Sequence, residues 1–149
     1  MMINSPSGAS QGALIVFLCG NERVAPITWR SKKLERVTKS PIASETMSLA
    51  EAADAGYFVA LMVQQIFGLK TAPKVCCKTD NKSLAEHLKS SKVIQDLRLR
   101  VDIARLREMM KLGEIEVQWV DKTIQLADPL TKYGASAVRL MDVLKCGQL

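Results

Sequence analysis

Between Ser40 and Gly68 the sequence brackets one long helix, and the face that helix presents narrows the folds open to the chain. Ser40 followed by Pro41 offers an N-cap and a proline at the first helical position, and Gly68 supplies a stop about 25 residues later. One stripe runs Glu45, Leu49, Ala52, Gly56, Ala60, Val63, Phe67. Small side chains at helical spacing let a helix lie close against a flat partner, which points to a sheet. The class expected is therefore α/β.

The strands follow from the period-two pattern. Ala13 to Cys19 is apolar on both alternating faces, which predicts an interior strand covered on both sides. Gly20 and Asn21 supply a turn, and Ile27 and Trp29 then alternate with Thr28 and Arg30 after Pro26, as in a hairpin partner at a sheet edge. Val75 to Thr79 reads as a short strand, with Asp80-Asn81 opening a helix through about Leu88, half of a βα crossover unit. A second long helix is expected from about Ile94 to Leu112. It carries Leu99, Ile103, Leu106 and Met110 on one stripe and a salt-bridge row of Arg98, Asp102 and Arg105 on another, and Gly113 ends it. Ile115, Val117 and Trp119 alternate with Glu114, Glu116 and Gln118 in the manner of a half-exposed outer strand. Asp128-Pro129 then caps a final helix reaching about Lys145. Residues 1–12, rich in Ser, Gly and Pro from Ser5 on, read as loop or disorder, and residues 13–149 as one domain.

Composition bounds the partners. A chain of 149 residues with 48% hydrophobic content can bury a core without disulfides. Cys19, Cys76, Cys77 and Cys146 lack CxxC spacing and read as buried, reduced thiols. The net charge of +6 favours a polyanionic partner. No leader pattern opens the sequence, and no apolar run approaches the ~20 residues of a membrane span, so an intracellular protein, cytoplasmic or nuclear, is expected and no membrane partner.

Three carboxylates stand out against this frame. Glu45 begins the sheet-facing stripe, where the next six members are apolar or small, and an unpaired buried carboxylate there wants a cation or a place on the rim. Asp80 ends a strand expected to run parallel to a neighbour, where open α/β sheets place their ligands. Asp128 begins the last helix. Each also has a plainer reading, Glu45 as a partner of the helix dipole and the two aspartates as helix caps. Brought to one sheet edge, the three would repel unless a divalent cation neutralised them, and oxygen-only ligation suits Mg²⁺ or Mn²⁺.

SPIASETMSLAEA around Glu45, CCKTDNKSL around Asp80 and GEIEVQWVDKTIQLADPLTK around Asp128 resemble the ribonuclease H domain of copia-type retrotransposon polyproteins. The hairpin VFLCGNERVAPITWRSKK and the helix DLRLRVDIARLREMM fit as well, so the resemblance covers nearly everything from Gly12 on. It implies a ribonuclease H-like fold, a mixed five-stranded sheet of order 3-2-1-4-5 flanked by helices. It implies hydrolysis of the RNA strand of RNA/DNA hybrids by two Mg²⁺ or Mn²⁺ ions, with Glu45, Asp80 and Asp128 as catalytic metal ligands. It also implies an upstream reverse transcriptase region of a polyprotein as a neighbour.

The family pattern has a fourth carboxylate, an aspartate on the first and central strand, and no Asp precedes Asp54 in this sequence. The expectation is a domain lacking that strand, weak or inactive as a nuclease on its own, with two strand edges left for a complementing strand or for oligomers. Lys32, Lys33, Arg36 and Lys39 cluster where the backbone of a hybrid could pass. His87 reads as a surface or packing histidine, and Trp29 and Trp119 as core. A rival reading is a non-catalytic, domesticated fragment that binds nucleic acid or protein.

Overall fold

The computed structural model describes residues 11–34, 40–90, 96–131 and 134–148, without the side chain of Arg98. Arg36, Lys39 and the expected helix start at Ile94 lie outside the described residues.

The chain order is β1 (Gln11–Gly20), β2 (Arg23–Lys33), α1 (Pro41–Phe67), β3 (Val75–Thr79), α2 (Lys82–Lys89), α3 (Leu97–Lys111), β4 (Ile115–Trp119), two 3-10 turns (Lys122–Ile124 and Asp128–Leu130) and α4 (Val138–Cys146). α1 begins and ends as the sequence requires. The Ser40 hydroxyl accepts the Ala43 N–H at 3.3 Å, and Gly68 closes the helix at φ 61°, a left-handed conformation that favours glycine.

The small-residue stripe of α1 does what its spacing implies. A Cβ built on Gly56 would stand 2.7 Å from Val75 Cγ1, so helix and strand meet at a distance that only glycine permits. Gly12 of β1 approaches α1 in the same way, its Cβ position lying 2.7 Å from Ser48 Oγ. The core gathers on this side: Leu49 and Ala53 of α1, Cys77 of β3, Leu84 and Leu88 of α2, Ile103 and Leu106 of α3, and Ile115 and Val117 of β4. Apolar burial stabilises by ~25 cal/mol per Å², so this cluster contributes to holding these elements together.

The strands form two separate pairs. β1 and β2 are antiparallel, with an irregularity between Val16 and Phe17, while β3 and β4 are parallel, in register from Val75↔Ile115 to Thr79↔Trp119. These are the neighbour pairs that the expected order puts on either side of its first strand. Among the described residues the strands make these two pairs and no five-stranded sheet.

Several expectations are corrected. β1 is not covered on both faces, since only Gly12 and Leu14 of it are buried. Trp29 and Trp119 are not core but 66% and 48% exposed. α1 covers one face of the hairpin, and α4 reaches it along β2, where Gly147 O accepts the Val24 N–H at 2.8 Å. Of the four cysteines only Cys77 is buried, and burial pushes its thiol up to about 12. Of the expected salt-bridge row, Arg105 also pairs across helices with Asp54 of α1 at 2.7 Å, and the Arg98 side chain lies outside the described residues. The final helix does not run from Asp128. A 3-10 turn ends at Leu130, Gly134 takes φ 76°, and α4 starts only at Val138.

Candidate functional site

β3 and β4 run parallel, and the chain leaves both at the same end, the position where open α/β sheets hold ligands. Asp80 is the first residue beyond β3. Its backbone is fixed there, because its carbonyl accepts the Trp119 indole N–H at 3.1 Å. The neighbouring Asn81 N–H donates to Thr79 Oγ1 at 3.2 Å.

Helix capping does not explain Asp80. Asn81 is the N-cap of α2, its Oδ1 accepting the Leu84 N–H at 2.9 Å. Asp80 Oδ2 is instead buried with no hydrogen-bond partner among the described residues. A carboxylate oxygen placed so loses its hydration without return, which is the state expected of a group that serves a ligand.

Glu45 is half-buried on α1 and lies beyond the first turn, so the helix dipole does not account for it. Asp128 sits in the second 3-10 turn, with Ala127 at the cap position, so the capping reading fails there too. Its carbonyl accepts the Thr131 N–H at 3.0 Å. The structure does not bring the three carboxylates together as a metal centre: among the described residues no three His, Cys, Asp or Glu side chains are grouped closely enough to hold an ion. The orphaned Asp80 oxygen suits a cation, yet the set as a whole does not fit one.

Of the basic cluster, Lys32 is held by Glu51 at 3.1 Å, and Lys33 is exposed on β2. His87 is half-buried on α2, with Nδ1 2.7 Å from Ser83 O, a helix-internal contact that gives it a packing role.

A feature absent from the sequence reading is a strap between the two half-sheets. Gln125 Nε2 donates to Lys78 O of β3 at 3.3 Å, and five residues on Leu130 O accepts from Ser31 Oγ of β2 at 2.6 Å. Nothing local in Gln125–Leu130 signals this, since both contacts are long-range.

The cost of the orphaned oxygen gives a prediction. In the presence of chelator, Asp80→Asn raises stability by about 1 kcal/mol, because it removes a charge that gains nothing from the fold. Urea denaturation reads the change, and a loss of stability on this substitution would show that the carboxylate is held by the structure after all.

No protein-family model and no curated protein matches the sequence. Among solved structures, the chain is similar to the ribonuclease H1 of the halophilic archaeon Halobacterium salinarum NRC-1. The TM-score is 0.50 at 17% sequence identity, over 80% of this chain and 92% of that one. The likeness shows a ribonuclease H-like fold.

Proposed function

We propose that this chain is a ribonuclease H-type domain of a copia-type retrotransposon polyprotein, and that by itself it binds RNA/DNA hybrids without cutting them efficiently. The observation that carries the reading is Asp80. It stands at the ligand-binding end of the parallel pair, relieved of capping by Asn81, with one buried oxygen unpartnered. The ribonuclease H-like fold supplies the class of substrate, and the +6 charge supplies attraction for a polyanion.

In this reading Glu45, Asp80 and Asp128 are the metal-holding and catalytic carboxylates of a site that takes Mg²⁺ or Mn²⁺ when complete. Lys32, Lys33, Arg36 and Lys39 meet phosphates. The carboxylates as arranged do not make an ion site, so the chain's own contribution is to bind and position the hybrid. The rival reading of a non-catalytic binding fragment shares this binding step and differs only in what the completed site would do.

Fluorescence anisotropy with a labelled RNA/DNA hybrid tests the binding. Affinity is expected to fall steeply between low and physiological salt as counterions are released. Lys33→Ala is expected to weaken binding a few-fold and to reduce the salt slope by about one. Absence of saturable binding at low salt would remove the proposal.

A further inference from the structure

α1 outruns the parallel strand pair it packs on. Its 27 residues span about 40 Å, whereas β3 and β4, five residues each, span about 17 Å. The last buried residue of the helix is Ala60, and none of residues 61–67 is buried. The outer face of this last part is apolar. Phe58, Leu61, Met62 and Ile66 recur at helical spacing on the side away from the buried Leu49, Ala53, Gly56 and Ala60, and Leu69 follows the helix stop at Gly68. All five are exposed, Phe58 by 64% and Ile66 by 71%. At roughly 200 Å² of surface per large side chain, they leave on the order of 500 Å² of apolar surface in water. That is the upper end for a monomer's largest patch, and patches of this size mark interaction sites.

The charge pattern selects the partner. Residues 55–69 contain no Asp, Glu, Lys or Arg, so a polyanion finds nothing to hold there. No described helix is long and apolar enough to cross a membrane, and a helix that lies on a lipid surface is flanked by the Lys and Arg that this stretch lacks. A second copy of the same stripe meets no repulsion. Two-fold pairing turns the helices antiparallel, so Phe58 of each copy lies toward the Leu69 end of the other, and Leu61 and Met62 lie toward Gln65 and Ile66. Gln65, near the middle of the stripe, then comes within reach of its own copy. An amide both donates and accepts, so it can bond to itself where a charge could not. Asp54, the last charge before the stretch, and Lys70, the first after it, are opposite in sign, and the antiparallel arrangement brings those two ends together. Asp54 also holds Arg105, so these charges set direction more than affinity.

We propose that the outer face of α1 and its continuation, residues 58–69, form a homodimer interface in which two copies of this chain pair antiparallel about a two-fold axis near Gln65. Two such faces would bury about 1,000 Å², where specific interfaces begin, which suits a dimer of micromolar affinity. The proposal does not depend on hybrid binding.

Sedimentation velocity on the full chain is the test. Between about 1 and 200 µM the mass is expected to rise from one chain toward two, with a midpoint in the micromolar range. Ile66→Glu, at an exposed side chain, should weaken association at least about tenfold and leave the circular dichroism spectrum unchanged. Gln65→Glu and Gln65→Lys should each weaken it alone and restore it when mixed, because only a two-fold contact sets position 65 against itself. A chain still monomeric at about 200 µM would overturn the proposal. The stripe would then belong to a different protein or, if the monomer floats with phosphatidylcholine vesicles, to lipid. A dimer indifferent to Ile66→Glu would overturn it as well, and a mixture that fails to associate would remove the two-fold axis at Gln65.

Discussion

Leu106→Ala is expected to cost about 2–5 kcal/mol. Leu106 is fully buried on α3 and belongs to the cluster that joins α1, α2, α3, β3 and β4. Truncation removes its transfer energy and leaves a cavity that these elements cannot all close upon, because β3 is already in contact with α1 at Gly56. Against the ~5–15 kcal/mol typical of a domain, the loss is large. Thermal denaturation followed by circular dichroism should show the midpoint falling by roughly 2–4 °C per kcal/mol. Leu112→Ala, at a position 66% exposed, serves as the control and should stay within ~0.5 kcal/mol. Equal effects at the two positions would contradict the placement of α3.

Gly56→Val is expected to cost about 1–3 kcal/mol by overpacking. Its Cβ would stand 2.7 Å from Val75 Cγ1, so α1 and β3 must part or Val75 must leave its rotamer. The small gain in helix propensity over glycine, under ~1 kcal/mol, offsets only part of that. The cause can be isolated, since Val75→Ala removes the opposing methyl groups. A double-mutant cycle on Gly56 and Val75 should give a coupling of about 0.5–3 kcal/mol, with the second change relieving the first. Strict additivity would mean that the close approach is not the origin of the loss.

Much of the fold was legible because its signals are local. Ser40, Pro41 and Gly68 bound α1 to within two residues of the expected length. Val75–Thr79 is the strand expected, and Leu99, Ile103 and Leu106 are the buried stripe of α3. The failures share a cause. Period-two alternation says which face a residue is on and not whether anything covers that face, so it does not reveal that Trp29 is exposed. Asp128-Pro129 is a good helix start, but Gly134 takes a left-handed conformation that no helix can run through. The site was legible in part. The residue types were evident, whereas the assignment of the α2 cap to Asn81 in place of Asp80 rests on one hydrogen bond that two adjacent capping residues could equally have made. The Gln125 strap depends on tertiary contacts alone.

Among the described residues β1 and β3 each pair along one edge and the carboxylates are ungrouped, and both facts bear on one question, whether the chain can act on what it binds. Incubation of the purified chain with an end-labelled RNA/DNA hybrid, in Mg²⁺ and separately in Mn²⁺, decides it on a denaturing gel. The expected result is hybrid bound in a parallel mobility-shift lane and an RNA strand left intact through repeated turnover times of an active ribonuclease H. Multiple-turnover cleavage that disappears in Asp80→Asn would contradict it, showing that the carboxylates assemble a working centre without further sequence.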